Sequence, residues 1–134
     1  ATLLLEIVTP EKVMISQEVD IVAAPGTMGE FGALPGHVPF LSGIVPGEVR
    51  FTSNAKTRVL AVTDGFVEVS NDKVSILVDA AEWAEEIDVE RARKAMERAR
   101  ERLVERAKED VDFTRAEAAL RRAIARIKVS EKAI

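Results

Sequence analysis

No glycine follows Gly65 and no proline follows Pro46, although the chain runs on to Ile134. Inside a helix, glycine costs about 1 kcal/mol and proline about 3 kcal/mol relative to alanine. The front of the chain is therefore cut into short elements joined by turns, while the breaker-free remainder can sustain long helices. Side-chain periodicity changes at the same junction. Before it come short β-branched stretches: LLLEIVT, KVMIS, VDIVAA, EVRF, TRVLAVT, GFVEVS and KVSILVD. Val49-Arg50-Phe51 and Phe66-Val67-Glu68-Val69 alternate as strands with one buried face do. From Asp88 onward the spacing is helical, through Val89, Ala92, Met96, Ala99 and Leu103, then Phe113, Ala116, Leu120, Ala123 and Ile127.

These patterns predict an α+β chain: an antiparallel β-sandwich or flattened barrel over residues 1–86, followed by an antiparallel two-helix hairpin over residues 87–134. Pro25-Gly26, Pro35-Gly36 and Pro46-Gly47 are expected as turns between strands, because proline presets the second position of a type II turn and glycine accepts the positive φ of the third. Asp88 is placed to cap the first helix and Asp112 the second. The connection Lys108-Glu109-Asp110-Val111 is short enough to return the second helix along the first. Alanine fills much of the seam, so the helices approach closely but bury little area per turn. Such a hairpin needs a partner and can exchange one partner for another. Trp83, just before it, is expected to pack the base of the hairpin against the sandwich.

Composition removes several classes of function. No window approaches eighteen uninterrupted apolar residues, so no helical membrane span is expected. The opening ATLLLEIVTPEK has no basic start and carries Glu6 in its apolar run, unlike a secretory signal peptide. With no cysteine there is no disulfide, thiolate metal site or thiol nucleophile, which suits a reducing compartment. The single histidine leaves a structural zinc site without ligands. Charge is unevenly divided. Residues 1–87 hold five bases against thirteen acids, a net of −8, and residues 88–134 hold fourteen bases against ten acids, a net of +4. Halves so different meet different surroundings.

Two stretches invite a chemical reading. GEFGALPGHVPFL, residues 29–41, surrounds His37 with three glycines and two prolines. A general base needs an orienting partner and a metal site needs further ligands, yet only Glu30 lies near in sequence. A histidine placed by a type II turn over Leu34-Pro35-Gly36-His37 is the favoured reading, ahead of partner contact and of catalysis. The helices are rich in arginine. Arg91 and Arg98 share one face of the first, and Arg122 and Arg126 share one face of the second. Facing each other they would form a phosphate site, since guanidinium binds phosphate through two parallel hydrogen bonds. A solvated face laced with Glu97, Glu101 and Glu105 is the plainer alternative. Nucleic acid is not expected, because ten acids interrupt the basic half and stacking aromatics are scarce. No phosphate-cradling glycine loop, nucleophile elbow or catalytic carboxylate pair is legible.

The string Gly29-Glu30-Phe31-Gly32-Ala33-Leu34-Pro35-Gly36-His37-Val38-Pro39, then Ile87-Asp88-Val89-Glu90-Arg91-Ala92, then Asp110-Val111-Asp112-Phe113 with Arg115-Ala116, resembles the epsilon subunits of bacterial F-type ATP synthases. The resemblance runs the length of the chain. It implies a sandwich of about ten strands and two helices in a non-catalytic subunit of the central stalk of a proton-translocating complex. The implied partners are the gamma subunit, the loops of the membrane c-ring and the alpha/beta catalytic head. The implied location is peripheral, on the cytoplasmic face of the bacterial inner membrane, with membrane contact only through the complex. Glu30 and His37 would lie in a docking loop at the foot of the stalk. The helices would either fold on the sandwich or extend along gamma and inhibit ATP hydrolysis. No cofactor is required, but ATP is an implied regulatory ligand through the Ile-Asp-x-x-Arg-Ala motif, with Asp88 and Arg91 in the motif and Glu82, Arg98, Arg122 and Arg126 aligned. Two departures are Ala33, where a larger aliphatic residue is frequent, and Glu90, which adds negative charge beside any phosphate. The competing readings are a small enzyme centred on His37 and a free-standing adaptor whose Arg-rich hairpin binds acidic partners.

Overall fold

The computed structural model describes residues 1–109 and 113–132. Ten strands precede the helices: β1 Leu3–Val8, β2 Val13–Val19, β3 Ile21–Gly26, β4 Gly29–Ala33, β5 Phe40–Ile44, β6 Gly47–Ser53, β7 Lys56–Val62, β8 Gly65–Ser70, β9 Lys73–Val78 and β10 Ala81–Trp83. They hydrogen-bond in the order β10-β7-β6-β3-β5-β8-β9-β1-β2, with β4 on the free side of β3. At the middle of this path β3 and β5 share one residue pair, Gly26 with Ile44. The sheet folds over there into two layers. Val22, Val49, Phe51, Leu60 and Val62 from one layer meet Leu3, Leu5, Ile7, Val67, Val69, Val74 and Ile76 from the other. A side chain on Gly26 would meet the Gly29 carbonyl at 3.0 Å and the Phe31 ring at 3.2 Å, so the crossover is built on a bare backbone.

The sandwich departs from the expected all-antiparallel pairing in one place: β1 runs parallel to β9. Leu3, Leu5 and Ile7 are fully buried, so β1 takes an interior position between β9 and β2. Residue alternation fixes which face of a strand is buried but not its direction. Strands so far apart in sequence need no tight turn between them. The Pro-Gly expectation holds at Pro35-Gly36, where Gly36 has φ +86° and the His37 amide donates to the Leu34 carbonyl at 3.0 Å. The positive φ fails at the other two pairs, although Pro46 does lie in the connection between β5 and β6. Pro25-Gly26 ends β3 and Gly47 begins β6, neither glycine with positive φ. The tight hairpins use Asn54-Ala55 and Asn71-Asp72, all four left-handed at φ 50–63°. Consecutive positive φ angles are those of a type I′ turn, which matches strand twist and which asparagine tolerates.

A 3-10 turn, Ala84–Glu86, leads into α1 (Val89–Glu109), and α2 spans Phe113–Ser130. Lys108 and Glu109, expected in the connection, continue α1. The expected cap Asp112 and the connecting Asp110-Val111 lie outside the described residues. Asp88 does cap α1, its carboxylate accepting the Arg91 amide at 3.0 Å. With so short a connection, helices that pack along one another must run antiparallel. Ala92 and Ala99 of α1, and Ala116 and Ala123 of α2, are buried at the seam. A second face of α2, with Ala125 and Val129, is buried towards the sandwich.

Candidate docking and regulatory sites

The hairpin lies folded down, with α2 against β6, β7 and the 3-10 turn. Its apolar contact with the sandwich is a small cluster of Ala61, Ala84, Ile87 and Val129, with Val59 partly covered. Eighteen buried residues form the sandwich core, so the hairpin is held by far less apolar burial than the body beneath it. Trp83 does not sit at that contact as expected. In β10 it packs edge-on against Phe51 at 6.2 Å on the sandwich core, and the Arg58 guanidinium covers its ring at 3.6 Å.

Three of the aligned phosphate-site residues converge beside this contact. Arg126 donates from Nε to Glu82 Oε1 at 2.6 Å and from Nη2 to Oε2 at 3.2 Å, a two-pronged pair between α2 and β10. Arg122, one turn earlier, lines the same cleft with Ala61, Val62 and Ala81. The cleft holds only about 20 Å³, roughly one water molecule. Arg91 and Arg98 lie exposed on α1 and line no part of it. The structure thus brings Glu82, Arg122 and Arg126 together, with Asp88 at the start of α1 holding the Arg91 backbone.

The GEFGALPGHVPFL stretch is less of a loop than its composition suggests. Its first five residues form β4, paired with β3 from Val22–Ala33 to Gly26–Gly29, and Phe40 opens β5. Only the turn between them projects. The Gly36 amide donates to Asp72 Oδ1 at 2.7 Å, which ties that turn to the β8–β9 hairpin. His37 Nδ1 lies 2.6 Å from the neighbouring Val38 carbonyl, and its ring meets Phe40 edge-on at 5.9 Å. No carboxylate orients the imidazole, and the described residues include no group of three or more His, Asp or Glu able to hold a metal. Glu30 is half exposed and paired with Arg50 of β6. The hydrogen bond from Arg50 holds the Glu30 carboxyl below its ordinary pKa and raises that of the guanidinium.

Sequence reasoning missed two features. The first is apolar exposure at this end of the sandwich, where Leu34, Val38 and Leu41 stand in solvent, with Met28 exposed at the opposite end of β4. A second apolar patch lies on the outer face of β8 and β9, where Phe66 pairs with Leu77 beside a cleft of about 380 Å³ that also takes in Val8 and Pro10. Both residues occupy the polar phase of alternating strands, and that misplacement was the available signal. The second feature is a run of charges from Glu30 through Arg50 to Glu48 and Lys132.

Comparison with known proteins covers both halves. Residues 2–84 match the family described as ATP synthase, Delta/Epsilon chain, beta-sandwich domain, and residues 85–131 match its long alpha-helix domain. The chain is 54% identical over 125 residues to the ATP synthase epsilon chain of Nitratidesulfovibrio vulgaris, covering 93% of this chain and 92% of that one. It is 56% identical over 128 residues to that of Syntrophobacter fumaroxidans, covering 96% and 95%. A cryo-EM structure of the Euglena gracilis mitochondrial ATP synthase contains a chain of the same fold, with TM-score 0.83 at 24% identity, covering 93% of this chain and 79% of that one.

Proposed function

The chain belongs to the delta/epsilon family of F-type ATP synthase subunits, non-catalytic parts of the rotary central stalk, and we propose that within such a complex it couples the catalytic head to the membrane ring and restrains ATP hydrolysis through its hairpin. The observation that carries the regulatory reading is the small, separable contact of α2 on the sandwich. An element held by one apolar cluster and a few ion pairs can leave without unfolding what it leaves behind. Its +4 charge favours travel towards an acidic surface such as an exposed carboxylate patch on the alpha/beta head.

The sandwich supplies the docking surfaces. The apolar groove of Val8, Pro10, Phe66 and Leu77 suits the gamma subunit, since burial of exposed apolar side chains drives stable association. The turn carrying His37, with Leu34, Val38 and the Glu30 edge, suits the polar loops of the c-ring. No described helix is long and apolar enough to cross a membrane. Membrane contact then comes through the complex, with this chain on the cytoplasmic face of a bacterial inner membrane.

ATP is the proposed ligand of the folded-down state. Arg126 spends Nε and Nη2 on Glu82, which leaves Nη1 to face a phosphate, with Arg122 one turn away. Arg91 and Arg98 would have to swing in from α1 to close around the triphosphate. A ligand that binds only this state holds the hairpin away from the head in proportion to its occupancy. Deleting residues 88–134 should raise the ATPase rate of the parent complex and leave assembly intact; an unchanged rate removes the inhibitory role. Calorimetry of the chain with ATP should give binding that Arg91→Ala and Arg126→Ala both weaken. Absence of heat, or binding by both variants as tight as that of the parent chain, removes the nucleotide site.

A further inference from the structure

We infer that Glu30, Arg50, Glu48 and Lys132 form a relay of alternating charge through which occupancy of Glu30, on the sandwich edge, sets how firmly the end of α2 is held. The four come from three parts of the fold: β4, β6 and the turn that follows α2. Arg50 Nη1 donates to Glu30 Oε2 and to Glu48 Oε1, each at 3.2 Å, while Nη2 donates to Glu30 Oε1. Lys132 Nζ donates to Glu48 Oε1, the same oxygen that takes Arg50. The other oxygen of Glu48 is buried and has no hydrogen-bond partner among the described residues. Two cations thus share one oxygen.

Exposure gives the relay a direction. The Glu30 side chain is 50% exposed and the Glu48 side chain 19%, so Glu30 is the end a partner reaches and Glu48 the sheltered end. Lys132 also helps to hold the Glu30 carboxyl ionised, so its charge is felt along the whole run. Around Glu48 and Lys132 the end of α2 leaves a gap against the sheet. A cavity of about 430 Å³, lined also by Gly47, Lys128 and Val129, lies between β6 and the end of α2. Glu48 and Lys132 both line it, so their ion pair joins its two walls.

With Glu30 in place, the Arg50 guanidinium is divided between two carboxylates. When a cationic side chain of a docking partner takes Glu30, Arg50 turns wholly to Glu48, competes with Lys132 for its one available oxygen and repels the ammonium. The end of α2 loosens. Docking at the β4 edge and release of the hairpin are then linked, each favouring the other. The partner end of this linkage rests on the docking role proposed for Glu30; the relay inside the chain does not.

The chain has no cysteine, so one can be placed at Ala61, which is buried with Val129 at the hairpin contact. The rate at which that thiol reacts in the intact chain reads how often α2 lifts. Ala125→Cys, on the helix side, repeats the measurement should a thiol at position 61 disturb the contact. Glu30→Gln should raise the rate about two- to five-fold, the range of a surface ion pair, and should raise it much less once Arg50→Gln is present, the remainder being the direct charge of Glu30 on Lys132. No change with Arg50 intact, or an equal rise in both backgrounds, overturns the relay. The equal rise would mean that Glu30 acts on Lys132 directly. Assembly of Glu30→Gln with the parent complex tests the docking role separately, so either reading can fail alone.

Discussion

Val129→Ala should release the hairpin without unfolding the sandwich. Val129 is 2% exposed on α2, where it meets Ala61, Ala84 and Ile87. The substitution removes two methyl groups from that contact, about 1.6 kcal/mol at roughly 0.8 kcal/mol per methylene-sized group, before any cavity left behind. At about 1.4 kcal/mol per tenfold, this multiplies the released fraction roughly 14-fold. Alanine is the better helix former, a gain that cancels provided α2 stays helical when lifted. Val67→Ala removes the same two methyl groups from a fully buried position in the sandwich core. There it should lower the melting temperature and leave docking nearly unchanged. The assay is reactivity of Ala61→Cys beside a thermal melt followed by β-sheet circular dichroism. If Val129→Ala lowered the melt as Val67→Ala does and left the thiol protected, hairpin and sandwich would unfold as one unit, and the release argument would be wrong.

Gly65→Ala should prevent the sandwich from folding at physiological temperature, because its Cβ would lie 1.9 Å from the Leu77 carbonyl oxygen and 2.7 Å from the Val78 Cα; soluble expression and a normal melt would contradict this. Gly36→Val should cost about 1–3 kcal/mol, since a β-branched residue must adopt φ +86° there, whereas His37→Ala should leave the melt unchanged because the turn bond is made by backbone atoms. Comparing the two melts decides it. The Glu30 carboxyl should titrate below its ordinary value of 4.5, followed by side-chain NMR. A folded pKa below the unfolded one gives stability that is present above the unfolded value and lost as pH falls through the folded value. The loss here should be slight, because the pair is exposed, and it should vanish in Arg50→Gln.

The division into strands and helices was legible because each half obeys one period. The seam residues Ala92, Ala99, Ala116 and Ala123 are buried where their spacing puts them. Three strands escaped: β10, only three residues long, and also β4 and β5. Gly-Glu-Phe-Gly-Ala and Phe-Leu-Ser-Gly-Ile carry three glycines and a single β-branched residue between them, so their extended form comes from pairing with neighbours rather than from local preference. Pro25-Gly26 lies in β3, and Pro46 joins β5 to β6 without a positive φ at Gly47, because a Pro-Gly pair permits a type II turn without requiring one. The site was harder to read, because its contacts span distances that no local pattern records. Arg126 and Glu82 are 44 residues apart and meet only because β10 pairs with β7 beneath α2. Lys132 and Glu48, 84 apart, meet only because α2 runs back over β6. The opposite charge of the halves, −8 and +4, reads as a sign of different surroundings, yet both pairs express it. In each pair a base of the second half sits on an acid of the first. The attraction between hairpin and sandwich is therefore written in composition, while the choice of Glu82 and Glu48 from thirteen acids is made by the sheet.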